Sequence, residues 1–540
     1  MAVKSKANLI RQSGQGAYAR WLELFLTLLL FALLSHRMGM LGMAFFAVPY
    51  LLYQMIVIGL GDTASGLIRR RAVFFRNRNG YMNAAMFYHG VTLTAFLLTL
   101  MISVGLFLGA DRLSLLMTGS RLAALGIRLI AVAVLPMVLM RCVGGFLEGM
   151  GAVIPGGVAS ETSLVVSILL AFLVCGRLGA YSEKVAALMR TDHYYYAYMA
   201  ALGSGSILIG NVIGLLVVLF LKSSLNRRLR QLFDGGYVGK KIKPKECIGA
   251  YFGCLFKEIW DRICPYLCIL LPMILLLRKT GSLNEKTGEF LLCALLLMEP
   301  VRLLAFQITG VMTRGIKKEL KYGDLVHVRD RIAISLKVYN YMVFPFLMLL
   351  LTLPDVIGQV FFDTEDALFA TLLRRGVWCT LALAMFLFAG AVARVVWERW
   401  IFSLLLIMDT VITAVIAARM VGGDEPEYTL LFLSFLIGNL VAFVLAAAIV
   451  VMELHFHQDL LRSFLLMGVS CVFMGLIAFV IRRVMTEALG AWPVLLLSCV
   501  LGTAAYCTCI VMTHTFDAGE WSRVPGKGLP VAIARWLKQY

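Results

Sequence analysis

Charged side chains are scarce in this chain of 540 residues. Only 15% of the residues are Asp, Glu, Lys or Arg, whereas a soluble globular domain carries about 25%. The sequence also lacks the short motifs Gly-x-Ser-x-Gly, Gly-x-x-x-x-Gly-Lys-Ser/Thr and His-Glu-x-x-His, which mark hydrolases, nucleotide-binding enzymes and zinc proteases. We therefore predict neither a soluble protein nor an enzyme.

Metal-binding and disulfide patterns are missing as well. The twelve cysteines include no Cys-x-x-Cys pair with the spacing of a metal site. Most of them lie inside apolar segments, where a free cysteine packs as a small hydrophobic residue; examples are Cys142, Cys175, Cys293, Cys379, Cys471 and Cys499. We predict no metal site, no disulfide and no cofactor.

Apolar sequence is abundant: 61% of the residues are hydrophobic and the mean hydropathy is +0.86. The formal net charge of +19 would suit a nucleic-acid-binding protein, but Lys and Arg fall in short loops between apolar runs. There they set the topology of a membrane protein and contact anionic lipid headgroups. The composition predicts that membrane lipids are partners of the chain and that nucleic acid is not.

The apolar runs are long enough for membrane-spanning helices, which need about 20 residues each. The sequence predicts an all-α polytopic membrane protein with about fourteen transmembrane helices, arranged as two six-helix lobes plus two C-terminal helices. The predicted spans are residues 20–36, 42–67, 82–109, 122–147, 159–176, 199–221, 256–278, 289–313, 338–361, 369–394, 400–420, 428–452, 463–481 and 492–513.

The basic residues are concentrated in alternate loops. The richest segments are Arg69–Arg71, Lys222–Lys245 and Arg314–Lys321, and all three fall on the same side of the predicted topology. Because cytoplasmic loops carry an excess of Lys and Arg, we place these loops and both termini in the cytoplasm, with the spans in the cell membrane.

An internal repeat divides the chain. Leu-Ile-Gly-Asn occurs in the sixth span at residues 208–211 and in the twelfth at 436–439, and one span earlier Glu161-Thr162 matches Asp409-Thr410. Two parallel repeats of six helices are a common transporter plan. The predicted domains are an N-lobe at 1–221, a basic cytoplasmic linker at 222–255, a C-lobe at 256–452, and the last two spans with a cytoplasmic tail at 453–540.

The tail carries the pattern of an amphipathic helix on the inner leaflet. Its apolar residues stand at helical spacing opposite Arg535 and Lys538; they are Leu529, Ile533, Trp536 and Leu537. We interpret Asp517–Pro525, just before it, as a polar lead-in.

The fourth and fifth spans form a predicted hairpin over Arg121–Gly176. Their connector contains Phe146-Leu-Glu-Gly-Met-Gly151 and Pro155, and an acidic residue follows early in the fifth span. This order resembles the same hairpin of the multidrug/oligosaccharidyl-lipid/polysaccharide flippase superfamily. The chain looks most like the polysaccharide-transporter branch that includes stage V sporulation protein B-like proteins. The family usually has Phe-Gln-Gly where this chain has Leu147-Glu148-Gly149.

The resemblance implies a flippase or exporter for a lipid-linked saccharide, used in cell-envelope or exopolysaccharide synthesis and working by alternating access. The lipid-linked saccharide would be the substrate, and glycosyltransferases or a polymerase of the same pathway would be partners. Basic groups facing a cavity would offset the charge of the substrate's pyrophosphate.

Polar side chains at membrane depth are the candidates for a binding site, because each costs roughly 3 kcal/mol to insert and so usually faces a cavity or a partner. Glu299 and Arg302 lie three residues apart on one face of the eighth span, beside Pro300. They are either a structural salt bridge or a switchable pair that binds substrate or a coupling ion.

Further substrate- or ion-binding candidates lie in other spans: Asp409, Arg141, Glu161, Asn211 and Asn439. The two asparagines can also serve as interhelical hydrogen-bonding groups. Arg141 lies about two turns from the cytoplasmic end of its span, where it either extends to the interface or pairs with Glu148 or Glu161.

Three alternatives remain open at the level of sequence. A cation-coupled multidrug exporter of the same superfamily would have a mostly acidic, aromatic cavity. A membrane-embedded glycan polymerase or glycosyltransferase would need a large external catalytic loop, which the sequence lacks. A non-transporting scaffold for a polysaccharide-synthesis complex has no distinguishing sequence feature.

Overall fold

The computed structural model describes residues 2–233, 242–281, 283–364, 366–421, 428–456, 458–517 and 520–523, together with residues 528, 530 and 532. These ranges contain helices and no β-strand. The helices are α1 Ala2–Ile56, α2 Asp62–Arg76, α3 Tyr81–Thr118, α4 Ala124–Met150, α5 Ile154–Met189, α6 His193–Phe233, α7 Pro244–Thr280, α8 Glu285–Lys321, α9 Leu325–Thr352, α10 Pro354–Ile357, α11 Ala367–Val396, α12 Arg399–Met420, α13 Tyr428–Leu454, α14 Leu466–Leu489 and α15 Ala491–Met512.

Thirteen helical segments in the described ranges are long and apolar enough to cross a membrane. The first of them, Ala19–Arg76, joins α1 to α2 through the π-helical turn Val57–Gly61. It contains two spans, because the helix is broken at Gly39 (φ 65°, ψ −179°), a conformation that only glycine adopts readily. Counting both spans gives fourteen, which confirms the predicted fold class.

The break at Gly39 folds α1 back on itself. The ring of Phe31, before the break, lies 4.9 Å from the ring of Tyr50, after it. Residues at similar distances on either side of position 39 therefore become neighbours. The same fold places Glu23 and Asp62, one on each arm, beside one arginine of α4.

Hydrogen bonds within each helix satisfy the backbone polar groups, which hydrocarbon cannot satisfy. Several helices are much longer than a span needs: α6 has 41 residues, or about 60 Å at 1.5 Å per residue. Both ends of the predicted 222–255 linker are helical, because α6 continues to Phe233 and α7 begins at Pro244. Residues 234–241 of the linker lie outside the described part of the chain.

The chain forms two compact units, Met1–Leu292 with Val421–Pro426, and Cys293–Met420 with Glu427–Tyr540. In the first unit α5 packs along α6 and α1, and α7 packs against α3, α2 and the π-helical turn. In the second unit α11 packs on α13 and α9, while α14 and α15 pack on each other and on α9. These units reflect packing, whereas the predicted lobes reflect a sequence repeat, so the lobe and linker boundaries stay a prediction.

Candidate functional site

Arg141 of α4 is held by two carboxylates in the first unit. Its Nη2 donates a hydrogen bond to Glu23 Oε1 of α1, and its Nε lies 3.6 Å from Asp62 Oδ1 at the start of α2. Glu23 and Asp62 lie on opposite arms of the hairpin folded at Gly39. One arginine thus connects both arms of that hairpin to α4.

The ion pairs continue to α7. Arg262 Nη1 lies 4.0 Å from Asp62 Oδ2, and its Nη2 lies 3.0 Å from Glu258 Oε2. The other oxygen of Glu258 lies 2.9 Å from Arg70 Nη2 of α2. Asp62 and Glu258 each serve two arginines, so these charges form one network across α1, α2, α4 and α7.

Of the two alternatives that the sequence left open for Arg141, pairing with Glu148 or Glu161 is not what the structure shows. Glu148 accepts a hydrogen bond from Arg69 Nη1 at 2.8 Å, while Glu161 of α5 is half-buried. The actual partners of Arg141 come from α1 and α2, because the Gly39 hairpin places both arms beside α4.

The side chains of this network are neither fully buried nor fully exposed. Arg141 is 26% exposed, Glu23 22% and Arg262 21%. Buried ion pairs cost desolvation energy unless their geometry is good and further hydrogen bonds are made. A charged network that retains partial access is suited to exchanging one partner for a ligand.

Asn211 of α6 is the centre of a hydrogen-bonded cross-tie in the same unit. Its Oδ1 accepts from Ser163 Oγ of α5 at 2.9 Å. Its Nδ2 donates to Tyr53 Oη of α1 at 2.9 Å and to the carbonyl oxygen of Ala133 in α4 at 3.0 Å. The side chain is 2% exposed, and it joins four helices.

Asn439 of α13 has a different setting in the second unit. Its Nδ2 donates to the Phe435 carbonyl oxygen of its own helix at 2.8 Å, and its buried Oδ1 has no hydrogen-bond partner among the described residues. The neighbouring Gly438 packs so closely on α12 that a Cβ there would lie 2.7 Å from Asp409 Oδ1. Asp409 is 2% exposed, so a carboxyl group lies buried where α12 meets α13.

Glu299 and Arg302 form the predicted pair on α8, with Arg302 Nη1 3.4 Å from Glu299 Oε1. Both side chains are about one quarter exposed. Pro300 lies inside the helix and removes a backbone donor at this level. The structure therefore pairs these two residues, and their role in binding stays a prediction.

Four charged residues of the network were not among the candidates identified from the sequence: Glu23, Asp62, Glu258 and Arg262. Each lies inside or at the edge of a predicted span, so a charge within an apolar run was a usable signal. Their pairing was not readable, because it depends on the fold at Gly39. Within the described residues, no group of three or more His, Cys, Asp or Glu side chains is placed to hold a metal ion.

No protein-family model matches the chain, and no curated protein matches it in sequence. Solved structures do match its fold. An inward-closed lipid II flippase MurJ superposes with a TM-score of 0.63 at 13% identity, covering 93% of this chain and 98% of that one.

Two other transporters of the multidrug/oligosaccharidyl-lipid/polysaccharide (MOP) superfamily are similar. An inward-facing multidrug resistance MATE family transporter gives a TM-score of 0.61 at 15% identity, covering 80% of this chain and 94% of that one. A MOP superfamily transporter from Pyrococcus furiosus, titled for the reverse polarity of its binding pocket, gives 0.56 at 15% identity, covering 83% and 95%. At these identities the comparison establishes a shared fold.

Proposed function

We propose that this protein is a membrane transporter of the MOP superfamily that flips or exports a lipid-linked saccharide. The fold likeness supports a carrier, and the resemblance of the α4–α5 hairpin supports the polysaccharide-transporter branch. The arginine–carboxylate network of the first unit supports an anionic substrate.

The observation that carries the proposal is the sharing of carboxylates in that network. Arg141 and Arg262 both approach Asp62, at 3.6 and 4.0 Å, so neither has Asp62 to itself. A pyrophosphate group offers more acceptor oxygens than one carboxylate and forms strong charge-assisted hydrogen bonds with arginine. Substrate binding would replace Asp62 or Glu23 as the partner of these guanidinium groups.

Coupling to an energy source falls to the remaining candidates. A membrane potential acts on a charge that moves across the membrane with about 2.3 kcal/mol per 100 mV. Asp409, buried where α12 meets α13, and the Glu299–Arg302 pair of α8 are the proposed groups for ion coupling. Asn439 and Glu161 are secondary candidates, and Asn211 is proposed as a structural group.

We retain the orientation derived from the charge pattern, with both termini in the cytoplasm of a cell-membrane protein. This places the arginine network near the cytoplasmic ends of α2, α4 and α7. A lipid-linked saccharide made by cytoplasmic glycosyltransferases would then meet the network first, before release to an enzyme on the other side.

The test is translocation of a lipid-linked saccharide in proteoliposomes containing the full chain. Arg141→Met should reduce transport at least tenfold per folded protein, because loss of one charge-assisted contact costs about 1.5–3 kcal/mol. Arg128→Met is the matched control: it lies on the same helix and its partner Asp111 is 2.7 Å away, but both side chains are more exposed. Equal transport by both variants would remove the network from substrate binding.

Cation-coupled drug export is the second candidate function, because a MATE family transporter shares the fold and the network also contains acids. The same proteoliposomes, loaded with an organic cation under a proton or sodium gradient, separate the two. Drug efflux without saccharide translocation would establish the second function. Absence of both activities in folded protein would favour a non-transporting scaffold.

A further inference from the structure

Lys337 is a buried cation in the middle of α9, with 7% of its surface exposed. Burying a charge is costly unless it is paired. Its Nζ lies 3.1 Å from Glu520 Oε1 and 3.3 Å from Glu520 Oε2. Glu520 begins the short 3₁₀ turn Glu520–Arg523 after α15, so a residue of the C-terminal segment neutralises a charge inside the second unit.

Aromatic packing holds the same segment in place. Phe516 and Trp521 are 3% and 5% exposed, and their rings lie 5.1 Å apart. Phe516 also contacts Tyr341 of α9 at 5.7 Å, and Tyr341 stacks on Tyr506 of α15 at 5.6 Å. Within the predicted polar lead-in Asp517–Pro525, Glu520 and Trp521 are therefore packed against the second unit.

Polar contacts also connect the turn before α14 to the segment that carries Glu520 and to α9. Arg462, in the π-helical turn Leu461–Leu465 before α14, lies 3.1 Å from Asp517 Oδ1. The Asp517 amide donates to Glu520 Oε2 at 3.0 Å, which fixes the carboxylate that faces Lys337. From α9, Asn340 Nδ2 donates to the Ser463 carbonyl oxygen at 2.9 Å.

We propose that residues 513–517 and 520–521, here called the C-terminal clasp, are a releasable lock that makes α9, α14 and α15 move as one body. Aromatic packing closes the clasp, and it stays closed as long as Lys337 and Glu520 neutralise each other. The two partners differ in setting, because Lys337 lies in the middle of α9 whereas Glu520 lies in a short 3₁₀ turn after α15. A charge left unpaired on either partner opens the clasp and leaves the helices folded.

Hydrogen–deuterium exchange of residues 513–521 in the full chain tests the lock. In Lys337→Met and in Glu520→Gln an unpaired charge remains, so we expect exchange at least about tenfold faster than in the wild type. In the double variant Lys337→Met/Glu520→Leu both charges are gone and the aromatic packing remains, so exchange should return close to wild type. Arg462→Gln, which breaks a more exposed pair, is the control and should have a smaller effect.

Wild-type exchange in both single variants would overturn the proposal, and so would a double variant that exchanges as fast as the singles. Should the single variants fail to fold, the double variant and Trp521→Ala decide. Trp521→Ala should open the clasp with both charges intact, and protection in that variant would count against the lock. The link between the clasp and transport rests on the proposed function and is measured separately. Altered transport in the variants with an open clasp supports the link. Absence of transport in the wild type contradicts the proposed function and leaves the clasp untouched.

Discussion

The sequence Leu-Ile-Gly-Asn occurs at 208–211 in α6 and at 436–439 in α13, and the two copies have different neighbours. A Cβ at Gly210 would overlap the Ser163 carbonyl oxygen and the Ser167 hydroxyl of α5. A Cβ at Gly438 would overlap the Thr413 hydroxyl and approach the Asp409 carboxyl of α12. In both copies the glycine lets two helices touch across residues four apart.

What differs is the residue opposite the asparagine. In α6 the Ser163 hydroxyl donates to Asn211, which completes a cross-tie between four helices. Opposite the α13 copy, the corresponding place on α12 holds Asp409, an acid that can change its charge, and among the described residues Asn439 Nδ2 donates to its own helix. The glycine sets how closely the helices approach, and the residue across from it decides whether the contact is fixed or ionisable.

The largest expected effect is that of Gly210→Ala. Because the new methyl group would meet backbone as well as side-chain atoms of α5, we expect a loss of more than about 3 kcal/mol in the free energy of unfolding. The yield and thermal stability of purified protein measure it. Wild-type stability would show that α5 and α6 separate easily.

Asn211→Leu should have the next largest effect. It removes the partner of three polar groups, the Ser163 and Tyr53 hydroxyls and the Ala133 carbonyl, and each buried group left unpaired costs about 1–3 kcal/mol. Asn439→Leu is the matched control and should cost less than about 1 kcal/mol. Equal losses in denaturant unfolding would break the distinction between the two copies.

Gly438→Ala should be milder than Gly210→Ala, at about 1–3 kcal/mol, since the closest atoms belong to side chains. The double variant Gly438→Ala/Thr413→Ala should recover most of the loss, because the nearest atom is the Thr413 hydroxyl. A thermal-shift measurement of the single and double variants is sufficient. No recovery would mean that α12 and α13 are held rigidly at this point.

Asp409→Asn should change stability least, by under about 1 kcal/mol, because a neutral amide avoids the cost of burying a charge. Under the proposed function it should abolish ion-coupled transport, whereas Ser163→Ala, the matching change in the first unit, should leave transport measurable. Assays in proteoliposomes at equal folded protein compare the two. Full transport by the Asp409→Asn variant would leave coupling to Glu299 and Arg302.

Apolar run length was enough to predict the all-helical fold and about fourteen spans, because hydrocarbon leaves the backbone little choice but helix. The Glu299–Arg302 pair was also predictable, since residues three apart on one helix face each other. Both inferences use only local sequence.

Pairings between distant helices were not predictable in the same way. Glu161-Thr162 was matched to Asp409-Thr410 by residue type alone. The contacts of Gly210 and Gly438 instead make Ser163 the residue equivalent to Asp409. The partners of Arg141 depend on a fold at one glycine far earlier in the chain. The burial of Lys337 was not predictable from the sequence, because its counter-ion Glu520 lies beyond the last span.

The break at Gly39 also bears on how the protein is assembled in the membrane. Two helices joined at a single residue are expected to insert together as a hairpin, so Glu23 and Asp62 would enter side by side. Their arginine lies on α4, which is synthesised later. Until α4 arrives, two like charges face each other without Arg141, and this favours early docking of α4 onto the first hairpin as a step in biogenesis.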